Sequence, residues 1–179
     1  AATSREEFLT SYGLDPARKT VLYATCTPGI NQEDPEILKR LVSTLDQGQG
    51  DSAQVLARLH PLDPLKRYKH VAHPNLAFQV SGSHLTSQAS GSCPVDRGSR
   101  RLLDPNFLSE MRDTLLHTDV VVNTASTMSL DAVAMDKPVV NIAFDLEARS
   151  YYQSCQRYYR FDHYRPIVDS KATKIAGSF

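Results

Sequence analysis

The chain lacks the features that mark most specialised classes of protein. Its 20 basic and 20 acidic residues cancel, so it offers no broad charged surface to nucleic acid or to an anionic membrane. No apolar run approaches the roughly 18 residues that span a bilayer, and no signal-peptide pattern opens the chain. We expect a cytoplasmic protein, located in the cytosol or at the inner face of the membrane. We expect no transmembrane segment and no nucleic-acid partner.

Cysteine is scarce as well. Cys26, Cys93 and Cys155 are an odd set without the spacing of a metal site, which indicates free thiols in a reducing compartment. No pair of carboxylates is placed to hold a metal ion either. The sequence therefore predicts no metal site and no cofactor.

The common phosphate-binding signatures are also missing. There is no P-loop, Gly29 stands alone after the first predicted strand rather than within a G-x-G-x-x-G fingerprint, and no acidic residue ends the second strand. These absences argue against a P-loop NTPase and an NAD-dependent dehydrogenase. Gly29 keeps one candidate role, because a residue without a Cβ lets a ligand approach the backbone closely.

What the sequence does contain is a regular alternation of short apolar runs and helical segments. The runs show no polar alternation, so they predict strands that are buried on both faces, as in a parallel sheet. With right-handed crossovers, the pattern predicts one Rossmann-like, doubly wound α/β domain over residues 1–179, with five or six strands in the order 3-2-1-4-5. The predicted strands are Thr20–Thr25, Gln54–Leu59, Leu76–Val80, Asp119–Asn123 and Pro138–Ala143.

Helix starts carry clear signals. Ser4 and Glu7 have the capping-box spacing, which predicts a short first helix through Tyr12. Asp34–Pro35 and Asp104–Pro105 each place an N-cap before a proline at the first helical position. Apolar positions mark the helices that follow: Ile37, Leu38, Leu41, Val42 and Leu45 in the second, Leu108, Met111 and Leu115 in the third, Leu130, Val133 and Ala134 in the fourth.

Two segments stand apart from this pattern. Residues 81–101 are rich in Ser, Gly and Arg and predict a long mobile loop. Five of the eight tyrosines lie between Tyr151 and Tyr164. We interpret the tail 146–179 either as a segment that packs over the sheet edge or as a surface that meets another domain or a second copy of the chain.

An open parallel sheet binds ligands beyond the carboxyl ends of its strands, where the strand order reverses. In the predicted order this point lies between strands one and four, followed by residues 26–30 and 124–129. The second segment brings several hydroxyls to the start of a helix, whose free N–H groups and partial positive charge suit a phosphate. Ser126, Thr127 and Ser129 are the candidate phosphate-binding side chains.

Asp131 lies four residues after Thr127, so the two share a helix face. Its carboxylate can accept hydrogen bonds from ribose hydroxyls while the first turn holds phosphate. The competing interpretation is structural: Ser126 caps the helix and Asp131 complements the helix dipole.

His60 ends the second predicted strand just before a proline. It is the candidate catalytic residue, as a phosphate donor or a proton-transfer group at the rim of the cleft. The alternative is a histidine that caps the sheet edge. Arg58, two residues earlier, is expected to point the same way and add positive charge, or else to be a surface residue.

The stretch from Thr118 to Asn141 resembles the donor-binding signature of GT-B glycosyltransferases and is similar to the related stretch of CDP-glycerol glycerophosphotransferases. In both groups a strand ends in small hydroxyl residues, an acidic residue follows within the helix, and Lys-Pro precedes the last strand. Asp131 and Lys137–Pro138 match the last two features. His60–Pro61 resembles the His-Pro that closes the matching strand of the glycerophosphotransferase group.

The resemblance implies half of a GT-B enzyme that binds a nucleoside diphosphate sugar, of UDP or CDP type, for synthesis of a cell-surface polysaccharide or glycan. Ser126 and Thr127 match positions that hold the diphosphate. Asp131 matches one that contacts the ribose or the transferred group, and His60 a histidine implicated in donor binding or catalysis. Thr124–Ala125 replace the Asp-Tyr usual in glycerophosphotransferases, which favours glycosyl transfer.

Because GT-B enzymes have two Rossmann-like domains, the resemblance also implies a missing N-terminal acceptor domain and no turnover by this chain alone. Two alternatives stay open. One is a non-catalytic, partner-binding half-domain with a vestigial nucleotide site, which associates with itself through the Tyr-rich tail. The other is a relative of glycerophosphotransferases or of sugar-nucleotide 2-epimerases.

Overall fold

The computed structural model describes residues 2–47, 53–80 and 105–179. The predicted loop 81–101 with Cys93 and the predicted N-cap Asp104 lie outside them. Its strands are β1 (Thr20–Ala24), β2 (Gln54–Leu59), β3 (Leu76–Val80), β4 (Val120–Asn123), β5 (Val139–Ile142) and β6 (Lys174–Ala176). Its α-helices are α1 (Arg5–Ser11), α2 (Asp34–Asp46), α3 (Pro105–His117), α4 (Met128–Ala134) and α5 (Arg165–Asp169), and 3-10 segments cover Leu65–Tyr68 and Cys155–Arg160. No helix within these ranges combines the length and the apolar character that crossing a bilayer would require.

The strands form one sheet in the order β3-β2-β1-β4-β5-β6, and every neighbouring pair is parallel. The predicted order of the first five strands and the Rossmann-like α/β class are therefore confirmed. At the centre, Val21 of β1 pairs with Val55 on one side and with Val120 on the other. The strand that the sequence left unassigned, β6, comes from the Tyr-rich tail and extends the sheet beyond β5.

Both faces of the sheet are buried, and adjacent residues of a strand enter different clusters. On β1, Tyr23 packs on the α2 side, whereas Leu22 packs on the side of α3 and α4. On β2, Val55 joins the α2 side and Leu56 the α1 side. Full burial of a large apolar side chain contributes about 1.5–3 kcal/mol, which is why the uninterrupted apolar runs fold as central strands.

Two helices differ from the sequence pattern in the faces that they bury. In α4 the buried residues are Ser129 and Ala132, whereas Leu130 and Val133 are 55% and 39% exposed. The reason lies beneath the helix, where the ends of β4 and β5 present polar side chains to it. Leu108 of α3, which the pattern places among that helix's apolar positions, is exposed as well.

The first helix is tied to the amino-terminal edge of the sheet by Arg5. Its guanidinium donates to the backbone carbonyls of Pro16, Arg18 and His117 and to the carboxylate of Asp119. The capping box predicted at the start of α1 is present. Charge-assisted bonds of this kind are about twice as strong as neutral ones, so Arg5 links the beginning of the chain to the beginning of β4.

We predict that Arg5→Lys destabilises the protein although it keeps the charge. A lysine cannot satisfy three carbonyls and a carboxylate together, and partners left without a hydrogen bond cost about 1–3 kcal/mol. Urea denaturation measures the change. Arg40→Lys on the surface of α2 is the matched control and should alter stability by less than about 0.5 kcal/mol; equal losses in the two variants would contradict the role of Arg5.

Candidate functional site

Three strand-end loops meet where the strand order reverses between β1 and β4. After β2, the backbone N–H of His60 donates to Thr25 Oγ1 at 2.9 Å. After β1, the Cys26 thiol donates to the Thr124 carbonyl, and Asn31 Nδ2 donates to Thr124 Oγ1 at 3.1 Å. These bonds hold the ends of β2, β1 and β4 together at the edge of the sheet where ligands bind.

The chain turns sharply between β4 and α4. Ala125 has a φ of +43°, in the left-handed region that is uncommon for a residue other than glycine. The N–H of Ser126 then donates to Asn123 Oδ1 at 3.2 Å, and Ser126 Oγ accepts from the Met128 N–H at 3.2 Å. The Ser126 hydroxyl thus accepts from the first residue of α4, whereas the N-cap, Thr127, makes no side-chain cap. The proton of the Ser126 hydroxyl can still be donated to a ligand. Thr127, next along the chain, is exposed.

Ser129 belongs to a polar cluster beneath α4 and is fully buried. Its hydroxyl lies 3.0 Å from the Tyr164 hydroxyl, and 3.1 Å from both Asn141 Oδ1 and Asn123 Nδ2. The expectation of a ligand contact at Ser129 is therefore corrected. Because strand-end asparagines need partners when they are buried, the serine ties α4 to the ends of β4 and β5.

Arg58 does not reach the strand-end loops. It is 4% exposed, and its guanidinium pairs with Glu110 of α3 at 2.9 Å and donates to Gln79 Oε1 at 2.8 Å. Buried charges need partners of this kind. The arginine holds α3 against β2 and β3, which corrects the expectation that it supplies positive charge beside His60.

The imidazole of His60 is half-buried at the end of β2. Its Nδ1 accepts from the Leu62 N–H at 3.1 Å, which places the proton of the neutral ring on Nε2. Burial lowers the pKa of His60 below its ordinary value, and the opposing effect of nearby Asp63 is smaller. At neutral pH the side chain is therefore an uncharged donor.

Two further sequence-predicted residues, Asp131 and Gly29, are exposed. Although Asp131 is exposed overall, the protein around its carboxyl group removes part of its hydration and raises its pKa above the ordinary value. A Cβ added at Gly29 would meet Thr27 Oγ1 at 3.9 Å, an ordinary contact. The backbone at this position therefore accepts residues other than glycine.

Sequence reasoning missed the part played by Asp34. It was expected to be the N-cap of α2, but that position belongs to Glu33, and Asp34 is the first helical residue and completely buried. Its carboxylate accepts from the Tyr23 hydroxyl and from the Cys26 N–H, both at 2.8 Å. Burial raises the pKa of Asp34 to about 7. The signal in the sequence is Tyr23, because a tyrosine in an otherwise aliphatic buried strand needs a polar partner.

The Tyr-rich tail folds back over these loops. The Tyr159 hydroxyl accepts from the Ala125 N–H at 3.0 Å and donates to the Ile142 carbonyl at 2.6 Å. Tyr164 lies in the polar cluster beneath α4 and is buried. These two residues of the tail thus contact the ends of β4 and β5. Other aromatic side chains of the tail are 40% to 77% exposed: Phe161, Tyr151 and Tyr152.

Three clefts, of about 460, 420 and 150 Å³, surround the loop that follows β5. Arg149 lines all three, and its guanidinium pairs with Glu33 at 2.9 Å. Among the sequence-predicted site residues, Gly29 lines the smallest of these clefts, and none lines the other two. The clefts and the turn after β4 are thus different parts of the same edge of the sheet.

The fold is similar to that of several solved structures. The S. aureus MnaA–UDP co-structure aligns with a TM-score of 0.50 and 10% identity, over 94% of this chain and 40% of that one. The wall teichoic acid polymerase TagF with CDPG aligns at 0.46 and 16% identity, over 79% and 27%. Acinetobacter baumannii MurG aligns at 0.41 and 20%, over 69% and 34%. No protein-family model and no curated protein matches the chain.

At such low identities the likeness establishes the fold. The alignment to MnaA supports a Rossmann-like α/β fold. The chain spans 27% to 40% of the matched structures.

We predict that Asp34 makes stability fall as the pH rises from about 4 to about 7. The pKa of an unfolded aspartate is 3.8 and that of the buried one about 7, so in this window the folded state binds the proton more tightly. Above pH 7 both states are ionised, and the full desolvation cost, roughly 4 kcal/mol at most, is present.

Urea denaturation between pH 4.5 and 8 tests this expectation. Asp34→Asn should remove most of the decline, and Asp162→Asn, on an exposed residue, should leave it unchanged. A decline that is identical in wild type and in Asp34→Asn would show that another group causes it.

Proposed function

We propose that this chain binds the nucleoside diphosphate sugar donor of a GT-B glycosyltransferase that builds a cell-surface polysaccharide or glycan. One observation carries the proposal: the loops after β2, β1 and β4 are joined by hydrogen bonds at the switch point of a parallel sheet. This is the position at which doubly wound sheets bind nucleotides. The match of 94% of the chain to a structure solved with UDP supports the same assignment.

In this proposal the diphosphate lies against the turn between β4 and α4. Thr127 presents an exposed hydroxyl there, and the Ser126 hydroxyl can donate its proton while it accepts from Met128. His60 donates Nε2–H from the end of β2, on the other side of β1 from β4. As the bond to the sugar breaks, negative charge grows on the departing diphosphate, and donors that are already oriented stabilise that charge.

The nucleoside extends along α4 in the same arrangement. Asp131 is exposed one turn after Thr127, and a carboxylate can accept from both hydroxyls of a ribose. Partial burial raises the pKa of this carboxyl above its ordinary value. The acceptor binds elsewhere, on the second domain that this proposal requires.

A second candidate function is a non-catalytic module that binds a partner protein, either another protein or a second copy of this chain. The observation that favours it is the outer face of α4, where Leu130 and Val133 are exposed although both are apolar. Apolar side chains grouped on a surface indicate a protein contact. In this alternative the turn after β4 retains its shape but binds no nucleotide.

We expect UDP or CDP to bind the folded chain with a Kd between micromolar and millimolar. His60→Ala and Asp131→Ala should each weaken binding by about 3- to 30-fold, which corresponds to one hydrogen bond to a charged group or to a ribose. Isothermal titration calorimetry with UDP, CDP, ADP and GDP measures the affinities. His163→Ala and Asp162→Ala, on exposed residues of the tail, are the matched controls.

The two functions give opposite results in solution. A donor-binding chain is stabilised by its nucleotide, since a ligand of the native state raises the melting temperature. A partner-binding module shows no such shift, and its Leu130→Asp variant loses self-association in sedimentation. If none of the four nucleotides binds the folded protein, the donor-binding proposal fails.

A further inference from the structure

The Tyr159 hydroxyl uses both of its hydrogen-bonding capacities on the edge of the sheet. Its oxygen accepts from the Ala125 N–H at 3.0 Å, and its proton goes to the Ile142 carbonyl at 2.6 Å. Burial raises the pKa of the phenol above its ordinary value, so the proton stays on the oxygen. One side chain of the tail thus bridges the residues that follow β4 and end β5.

The residue that Tyr159 holds is the one with the unusual backbone. A left-handed conformation costs a residue with a Cβ roughly 1–2 kcal/mol, and Ala125 adopts it at φ +43°. A glycine would adopt it without cost. In this chain an external hydrogen bond to the same peptide N–H keeps the alanine in place.

The direction of Ala125 decides where the next residues point. Ser126 and Thr127 follow it directly. The Ser126 N–H donates to Asn123 Oδ1, a contact that the turn at Ala125 makes possible. If Ala125 relaxed to ordinary backbone angles, the hydroxyls and N–H groups after it would swing away from the switch point. The conformation that Tyr159 stabilises is therefore the one that the proposed diphosphate site requires.

A second tyrosine of the tail, Tyr164, packs against Tyr159. The rings of Tyr159 and Tyr164 meet edge to face, with centroids 5.5 Å apart and planes at 86°. The Tyr164 hydroxyl donates to Asn141 Oδ1 at 2.8 Å, within the buried cluster. Aromatic pairs of this geometry contribute about 0.5–1.5 kcal/mol beyond the area that they bury, so Tyr164 stabilises the position of the Tyr159 ring.

We infer that Tyr159 is a positioning residue of the donor site: through Ala125 it holds the turn between β4 and α4 in the shape that receives a diphosphate. This inference rests on the proposed function. In this inference Tyr159 acts on the ligand only through Ala125. It raises the fraction of molecules whose turn is ready to bind, and apparent affinity is proportional to that fraction.

Tyr159→Phe tests the inference, because it removes the hydroxyl and keeps the ring. Apparent affinity for UDP and CDP should fall about five- to tenfold, while affinity for uridine and cytidine, which have no phosphate, stays unchanged. A purely structural role would weaken nucleotides and nucleosides alike. Tyr151→Phe, in the same tail and without contact to the turn, is the matched control and should bind as wild type does.

Amide exchange provides a measurement that needs no variant. In the wild-type chain the Ala125 N–H should be protected before any nucleotide is added, and UDP should change its protection little. Rapid exchange of this amide in the free protein would overturn the inference.

The outcomes separate this inference from the function on which it rests. If wild type binds no nucleotide, the proposed function fails and the inference fails with it. If wild type binds UDP and Tyr159→Phe binds it equally well, only the positioning role is overturned. Loss of UDP and uridine binding together would also overturn it.

Discussion

The pairing of β1 with β4 is the constraint on which the rest of this structure depends. It places two strands that are far apart in the sequence side by side, and it reverses the direction in which the sheet is built. Because both strands end at the same edge, the loops that follow them meet, and the contacts of Cys26 and Asn31 with Thr124 follow from that meeting. The candidate site is therefore a consequence of strand order first and of side-chain chemistry second.

Strand order and the class of the fold could be predicted because they depend on features that are local in the sequence. Val120, Val121 and Val122 make an apolar run between polar neighbours, and such a run has few alternatives to a central strand. The capping box at Ser4 and Glu7 is equally local, and the structure contains it. Even the position of the site at the switch point follows from topology without knowledge of any side chain.

Side-chain roles within the site could not be predicted in the same way, because they depend on contacts between distant segments. Ser129 and Thr127 are both hydroxyl residues near the start of α4. Ser129 is buried against Asn141 and Tyr164, whereas Thr127 faces solvent. Arg58 is turned to α3 by Glu110, a residue 52 positions away. The sequence around Asp34 is typical of a helix N-cap. In the structure its carboxylate accepts a hydrogen bond from the buried Tyr23 hydroxyl instead.

The same long-range pairing sets the order in which the sheet can be completed during synthesis. The backbone N–H of Thr20 donates to Asp119 Oδ2 across a separation of 99 residues. At roughly 5–20 residues per second, the ribosome exposes β1 for several seconds before its inner neighbour exists. During that interval one side of β1 is an unpaired, apolar edge, and such an edge can pair with other chains and aggregate. For this protein, the strand that organises the finished fold is also the one that a chaperone would have most reason to cover.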